Sequence, residues 1–121
     1  MTPVSPAYER ACSMHSALFE DEENQSRGSI AVGDVRADIS EPYKTQRLTI
    51  FGEIDGKRVY QNLAKSIRNG HFYLSTVFTE PGGAVQLTRI TEQSPPEICE
   101  VLEATLFAQA IRKIIDVRPQ P

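Results

Sequence analysis

The sequence predicts one α+β domain, an antiparallel twisted sheet with helices, in the order α-β-β-β-α-β-β-α. Three observations predict it. Residues 5–20 space their apolar side chains as an amphipathic helix does. Residues 29–54 and 71–91 alternate apolar and polar side chains at the period of strands, and 94–116 return to helical spacing behind a proline start. A chain of 121 residues has room for one core, so residues 1–121 are read as a single domain, with flexible ends expected at 1–4 and 118–121.

Ser5-Pro6 opens the first helix: serine caps, and proline at the first helical position has no N–H to leave unpaired. Ala7, Tyr8, Ala11, Cys12, Met14, His15, Leu18 and Phe19 gather on one side, with Glu9, Arg10, Ser13, Ser16 and Glu20 on the other. The run Glu20-Asp21-Glu22-Glu23-Asn24 then favours a solvated loop. From Ser29 to Ser40 the alternation is interrupted at Gly33-Asp34, which predicts two short strands and a tight turn. Glu41-Pro42-Tyr43 breaks the chain. Gln46–Ile54 follows as a strand with Leu48, Ile50 and Ile54 on one face and Thr49, Phe51 and Glu53 on the other.

Residues 57–69 admit two readings. As a hairpin, Asp55-Gly56 is a two-residue turn that sets Phe51 opposite Tyr60 and Glu53 opposite Arg58. As a helix, Val59, Leu63 and Ile67 fall at i, i+4 and i+8, and Asn69-Gly70 closes it with a left-handed cap. The helix is the reading taken in the fold above, because Leu63–Arg68 lacks alternation and is rich in helix formers.

His71–Thr79 and Ala84–Thr91 read as a hairpin around Glu80-Pro81-Gly82-Gly83. A four-residue loop there puts Phe78 opposite Val85 and Thr76 opposite Leu87. Phe72, Leu74, Phe78, Val85 and Leu87 then form the core face, and Tyr73, Val77 and Ile90 make the other face more apolar than water requires. Ser94-Pro95-Pro96-Glu97 predicts a capped start for a last helix reaching about Asp116. Its apolar side changes partway, from Ile98, Val101, Leu102 and Leu106 to Phe107, Ala110, Ile111, Ile114 and Ile115. Burial between layers, or a face left for a partner, would explain two apolar sides.

The composition excludes more than it assigns. Apolar residues make up 40% and charged residues 24%, ordinary for a folded domain. The 13 Lys and Arg are scattered along the sequence against 16 Asp and Glu, a net −3, which disfavours a nucleic-acid binder. Cys12 and Cys99 form no CxxC pair and read as free, buried thiols of a reducing cytosol. Neither a signal peptide nor an apolar run of membrane-spanning length is seen, so no membrane partner is expected.

Catalytic groups are sparse. His15 lies on the apolar side of its helix and reads as a core or interface histidine, and His71 as a strand-edge residue. Two histidines and two cysteines at these spacings make no metal site. Gly82-Gly83 sits in a hairpin rather than between strand and helix, which argues against a phosphate cradle. Asp34 and Asp38 read as solvated strand carboxylates. The expectation is therefore no enzyme, no metal and no cofactor.

The opening helix, Ser29-Ile30-Ala31-Val32-Gly33-Asp34 running into Val35-Arg36-Ala37-Asp38-Ile39, then Arg47-Leu48-Thr49-Ile50-Phe51-Gly52, the hairpin Phe72–Ile90 and the closing Ile98-Cys99-Glu100-Val101-Leu102-Glu103-Ala104 together resemble the class I type III secretion chaperones. The resemblance covers nearly the whole chain. It implies a cytoplasmic, bacterial homodimer that holds the N-terminal segment of a secreted effector in extended form, by strand addition and side-chain pockets. It implies a dimer contact on the middle helix, through Val59, Tyr60, Leu63 and Ile67. Effector docking would fall on Tyr8, Ala11, His15, Leu18 and Phe19 of the first helix and on Tyr73, Val77 and Ile90 of the sheet. The alternatives are a phage or plasmid adaptor, or a small dimeric binder of single-stranded nucleic acid. In the latter, Tyr60, Phe72 and Tyr73 would stack bases, and Arg47, Lys57, Arg58 and Arg68 would track phosphate.

Overall fold

The computed structural model describes residues 4–19, 36–40, 45–79 and 83–117, with the backbone alone at 36–40 and 113–117. Helix α1 (Pro6–Phe19) is followed by strands β1 (Arg36–Ser40), β2 (Thr45–Ile54), β3 (Lys57–Ser66), β4 (Phe72–Phe78) and β5 (Val85–Ile90), then helices α2 (Ile98–Glu103) and α3 (Leu106–Val117). The strands form one antiparallel sheet in sequence order, β1-β2-β3-β4-β5. The α+β class, the antiparallel sheet and the flanking helices agree with the sequence. The acidic run 20–24, the Gly33-Asp34 turn with the strand before it, and the Glu41-Pro42-Tyr43 break lie outside the described residues.

Helix α1 begins as its sequence dictates. Ser5 Oγ accepts the Ala7 N–H at 3.2 Å, and the Ser5 N–H donates to the Glu92 carbonyl at 3.0 Å, tying the helix start to the end of β5. Ala7, Ala11, Met14, His15, Leu18 and Phe19 are all buried. They pack on β2 and β5 and against α2 and α3, and the cluster continues through Leu48, Ile50, Val59, Leu63, Phe72, Leu74 and Ile90 of the sheet.

The middle helix is corrected to a strand. Asp55 and Gly56 both take positive φ, 52° and 76°, the conformation of a two-residue turn whose twist matches a hairpin. Phe51 then faces Tyr60 and Glu53 faces Arg58, as the hairpin alternative has it. Val59 and Leu63 are four apart, and four is a multiple of both the strand repeat and, nearly, the helix repeat, so their spacing fits either. What conceals the alternation is Gln61, a polar residue at an inward position. It is satisfied there: Nε2 donates to Thr76 Oγ1 at 3.0 Å, and Oε1 accepts the Leu106 N–H at 2.8 Å. Asn69-Gly70 belongs to the next turn, where Gly70 at φ 73° donates to the Ser66 carbonyl.

The β4–β5 register is corrected by one residue. Val77 pairs with Val85 and Ser75 with Leu87. Thr79 explains the slip. Its N–H and its hydroxyl both donate to the Arg58 carbonyl of β3, so the hairpin closes instead at Phe78 N–H to the Ala84 carbonyl, 2.9 Å. A one-residue shift exchanges the faces of the whole strand. Ile90 is therefore core, and Val85 and Leu87 stand on the opposite face.

The closing helix is two helices. Thr105 Oγ1 accepts the Ala108 N–H at 3.2 Å and, with Gln61, caps a fresh start at Leu106. The break between α2 and α3 accounts for the change of apolar side: Leu102 is buried from α2, and Leu106, Phe107 and Ala110 are buried from α3. Gly52 of β2 lets α3 approach, since a Cβ there would stand 2.9 Å from a Leu106 methyl. The serine expected to cap this region does other work, because Ser94 Oγ accepts the Thr91 N–H at 2.8 Å and α2 starts at Ile98 without a side-chain cap.

Candidate partner-binding face

The sheet has two unlike faces. Helices α1, α2 and α3 cover the face that carries Leu48, Val59, Leu63, Phe72 and Leu74. On the opposite face, among the described residues, no helix packs. Register places the outward residues of β2 to β5 in transverse rows. Phe51, Tyr60, Val77 and Val85 form one row across four strands. Beside it runs Thr49, Asn62, Ser75 and Leu87, and beyond that Arg47, Ala64, Tyr73 and Arg89.

The polar row is internally hydrogen-bonded. Thr49 Oγ1 donates to Asn62 Oδ1 at 2.8 Å, and Asn62 Nδ2 donates to Ser75 Oγ at 3.3 Å. That bonding ties the side chains of β2, β3 and β4 together at the middle of the face. The apolar row has no such cover. Phe51 is 51% exposed, Val85 62% and Leu87 69%, while Tyr60, Tyr73 and Val77 are half-buried by their neighbours. The Phe51 and Tyr60 rings lie 5.8 Å apart at 42° and form a continuous aromatic surface.

The face ends in a sheet edge. Ala84 accepts from Phe78 across the hairpin, so alternation turns the N–H and C=O groups of Val85, Leu87 and Arg89 away from β4. Those are the same residues whose side chains stand on the open face. A second polypeptide laid along β5 would meet backbone donors and acceptors and the apolar row together.

Charge is divided between the layers. Residues 45–90 hold six Lys and Arg against three Asp and Glu, a balance of +3 within a chain of net −3. The outward positions of β2 to β5 carry Arg47, Arg58 and Arg89 against Glu53 alone. Scattered along the sequence, these three arginines are brought to one face by strand pairing.

Most of the docking residues expected from the sequence lie elsewhere. Ala11, His15, Leu18, Phe19 and Ile90 are buried in the core of the single chain and offer no surface to a partner. Tyr8 is half-buried, its hydroxyl donating to the Gly70 carbonyl at 2.9 Å; burial first, then Cys12 and Glu92, raise its pKa above the ordinary 10.0. Tyr73 and Val77 are on the open face as expected. Of the expected dimer contact, Val59 and Leu63 are core, Tyr60 is on the open face, and Ile67 is exposed in the turn after β3. Phe51, Val85 and Leu87 complete the face and were missed as docking residues. Phe51 was legible as outward-facing from the alternation of β2, whereas the other two needed the loop length.

Both histidines make hydrogen bonds within the chain. His15 Nε2 donates to the Gln46 carbonyl at 2.8 Å, its ring stacks on Phe19 at 5.2 Å and meets Phe72 edge-on. His71 Nδ1 accepts from Arg89 at 3.0 Å in a polar cleft with Thr91, Glu92 and Gln93. Cys12 and Cys99 are both free and half-buried. Among the described residues no three His, Cys, Asp or Glu side chains converge as metal ligands, and no helix is long and apolar enough to cross a membrane.

No protein-family model matches the chain, and neither a curated protein nor a solved structure matches it significantly.

Proposed function

We propose that this chain is a non-enzymatic binding domain that holds an extended segment of another protein against its open sheet face. One observation carries the reading: the row Phe51–Tyr60–Val77–Val85, with Leu87 beside it, stands uncovered and runs to the backbone groups of the β5 edge. Fully covering a side chain such as Val85 or Leu87 is worth about 1.5–3 kcal/mol, and edge hydrogen bonds fix the strand that covers them. In this reading the chain needs no cofactor, metal or membrane.

The finer proposal takes the resemblance to secretion chaperones at its word: the partner is the N-terminal region of a type III secreted effector, bound in the bacterial cytoplasm. That part rests on the resemblance alone, whose middle helix is a strand here. A homodimer stays part of the proposal, with its contact moved off Val59 and Leu63, since both are core. The test is a thermal melt with and without the N-terminal region of the secreted protein encoded beside this chain. A fragment at 100 times its Kd adds about 2.7 kcal/mol, on the order of a ten-degree rise. No rise at saturation removes the effector from the reading.

A second reading assigns the same face to single-stranded nucleic acid. It is favoured by the Phe51–Tyr60 ring pair on a face that also carries Tyr73 and three arginines. A labelled oligonucleotide that binds with a steep salt dependence would select it.

A further inference from the structure

We infer that the segment this face receives is acidic and aliphatic, with carboxylates placed beside Arg58 and Arg89 and apolar residues between them; this rests on the protein-binding reading above. Arg58 flanks the row Phe51–Tyr60–Val77–Val85 at the turn end of β3, and Arg89 flanks Leu87 at the far end of β5. Both are exposed, and the only acid among the outward residues of β2 to β5 is Glu53, the cross-strand neighbour of Arg58. The row itself runs across the strands, and the two guanidiniums flank it along the strand direction, Arg58 one outward position beyond Tyr60 and Arg89 two beyond Val85.

Other occupants fit less well. A second copy laid face to face would set arginine against arginine, because the excess of bases on this face is common to both copies. A nucleic-acid strand needs ring faces and many phosphate contacts. Yet the most exposed part of this surface is Val85 and Leu87, which have no ring face. The chain as a whole, at −3, repels a long polyanion, while a short acidic segment feels mainly the local arginines. Aliphatic side chains covering Val77, Val85 and Leu87, with carboxylates at the flanks, match both features of the surface.

The experiment uses two short synthetic peptides with the same alternating valines and leucines, one flanked by glutamates and one by lysines, titrated into the intact chain while backbone amide signals are recorded. The glutamate peptide is expected to shift the signals of Phe51, Tyr60, Val77, Val85 and Leu87, to bind about tenfold more tightly than its twin, equivalent to 1.4 kcal/mol, and to weaken as salt is added. The double variant R58E/R89E is expected to exchange the preference and take the lysine peptide, a gain of binding that a misfolded chain would not show. Equal affinity for the two peptides, binding of neither, or a preference that survives the double variant overturns the inference. Shifts of these residues with oligothymidine but not with peptide, or with protein concentration alone, overturn it in favour of nucleic acid or a second copy. If the peptides show no charge preference while Phe51→Asp with Leu87→Asp still abolishes binding of a protein partner, this inference fails and the protein-binding reading stands.

Discussion

Gln61 shows how one polar residue can hold two layers together. Its amide joins Thr76 of β4 to the first free N–H of α3, and both ends are used. Replacing it with leucine keeps the volume but leaves the Leu106 N–H and the Thr76 hydroxyl buried without this partner. Gln61→Leu is expected to cost about 1–3 kcal/mol in urea unfolding, whereas an unchanged midpoint would mean that water takes over the bond. Tyr8 makes a pH prediction. Its folded pKa is raised, chiefly by burial, so the folded chain keeps this proton to higher pH than the unfolded chain does. The stabilising contribution is whole below 10.0, the unfolded value, and is lost as pH rises through the folded value. Stability measured from pH 8 upward is therefore expected to fall less steeply in Tyr8→Phe than in the natural chain. Gln61 was legible only in retrospect: from sequence it reads as a break in an apolar face, and its partners are 15 and 45 residues away.

At the scale of elements, what the sequence failed to set was phase. The opening helix was readable because Ser5-Pro6 and its apolar spacing agree with each other. Strand β3 was not, because Val59 and Leu63 fit two periods and the inward residue between them is polar. The β4–β5 register was not, because Thr79 spends its donors on Arg58 of β3 and lengthens the loop by one. The break at Thr105 left a trace in the sequence, the change of apolar side, without the geometry to say which residue capped the new start. Register makes a sharp prediction here. Ile90→Ala is expected to cost about 2–5 kcal/mol as a core truncation, while Leu87→Asp, on the open face, should stay within about 0.5 kcal/mol of the natural chain. Calorimetric melts of the two variants check it, and a large loss from Leu87→Asp with a small one from Ile90→Ala would restore the register of the four-residue loop, in which Leu87 faces the core and Ile90 the open side.

For the whole molecule, the consequence of these phases is where the docking surface lies. Reading β3 as a helix sends Val59 and Leu63 to a dimer contact, and reading β5 one residue off hides Val85 and Leu87 in the core. With both corrected, the first helix and the inner face are used up in holding the fold, and the surplus apolar surface is the outer face of the sheet. The two residues foreseen there, Tyr73 and Val77, were legible because β4 alternates cleanly, whatever its partner's register. A homodimer, if formed, is expected to survive Leu63→Ala, corrected for the variant's lower stability, in sedimentation equilibrium, since that side chain packs within one chain. Loss of the dimer in folded variant would reopen the middle segment as a contact. The central claim, that this face holds a polypeptide partner, is tested most directly by one comparison. The melting temperature of the natural chain and of Phe51→Asp/Leu87→Asp is measured with and without a saturating partner fragment. The account predicts that the fragment raises the melting temperature of the natural chain and leaves that of the variant where it stands without fragment. Equal stabilisation of both would contradict it.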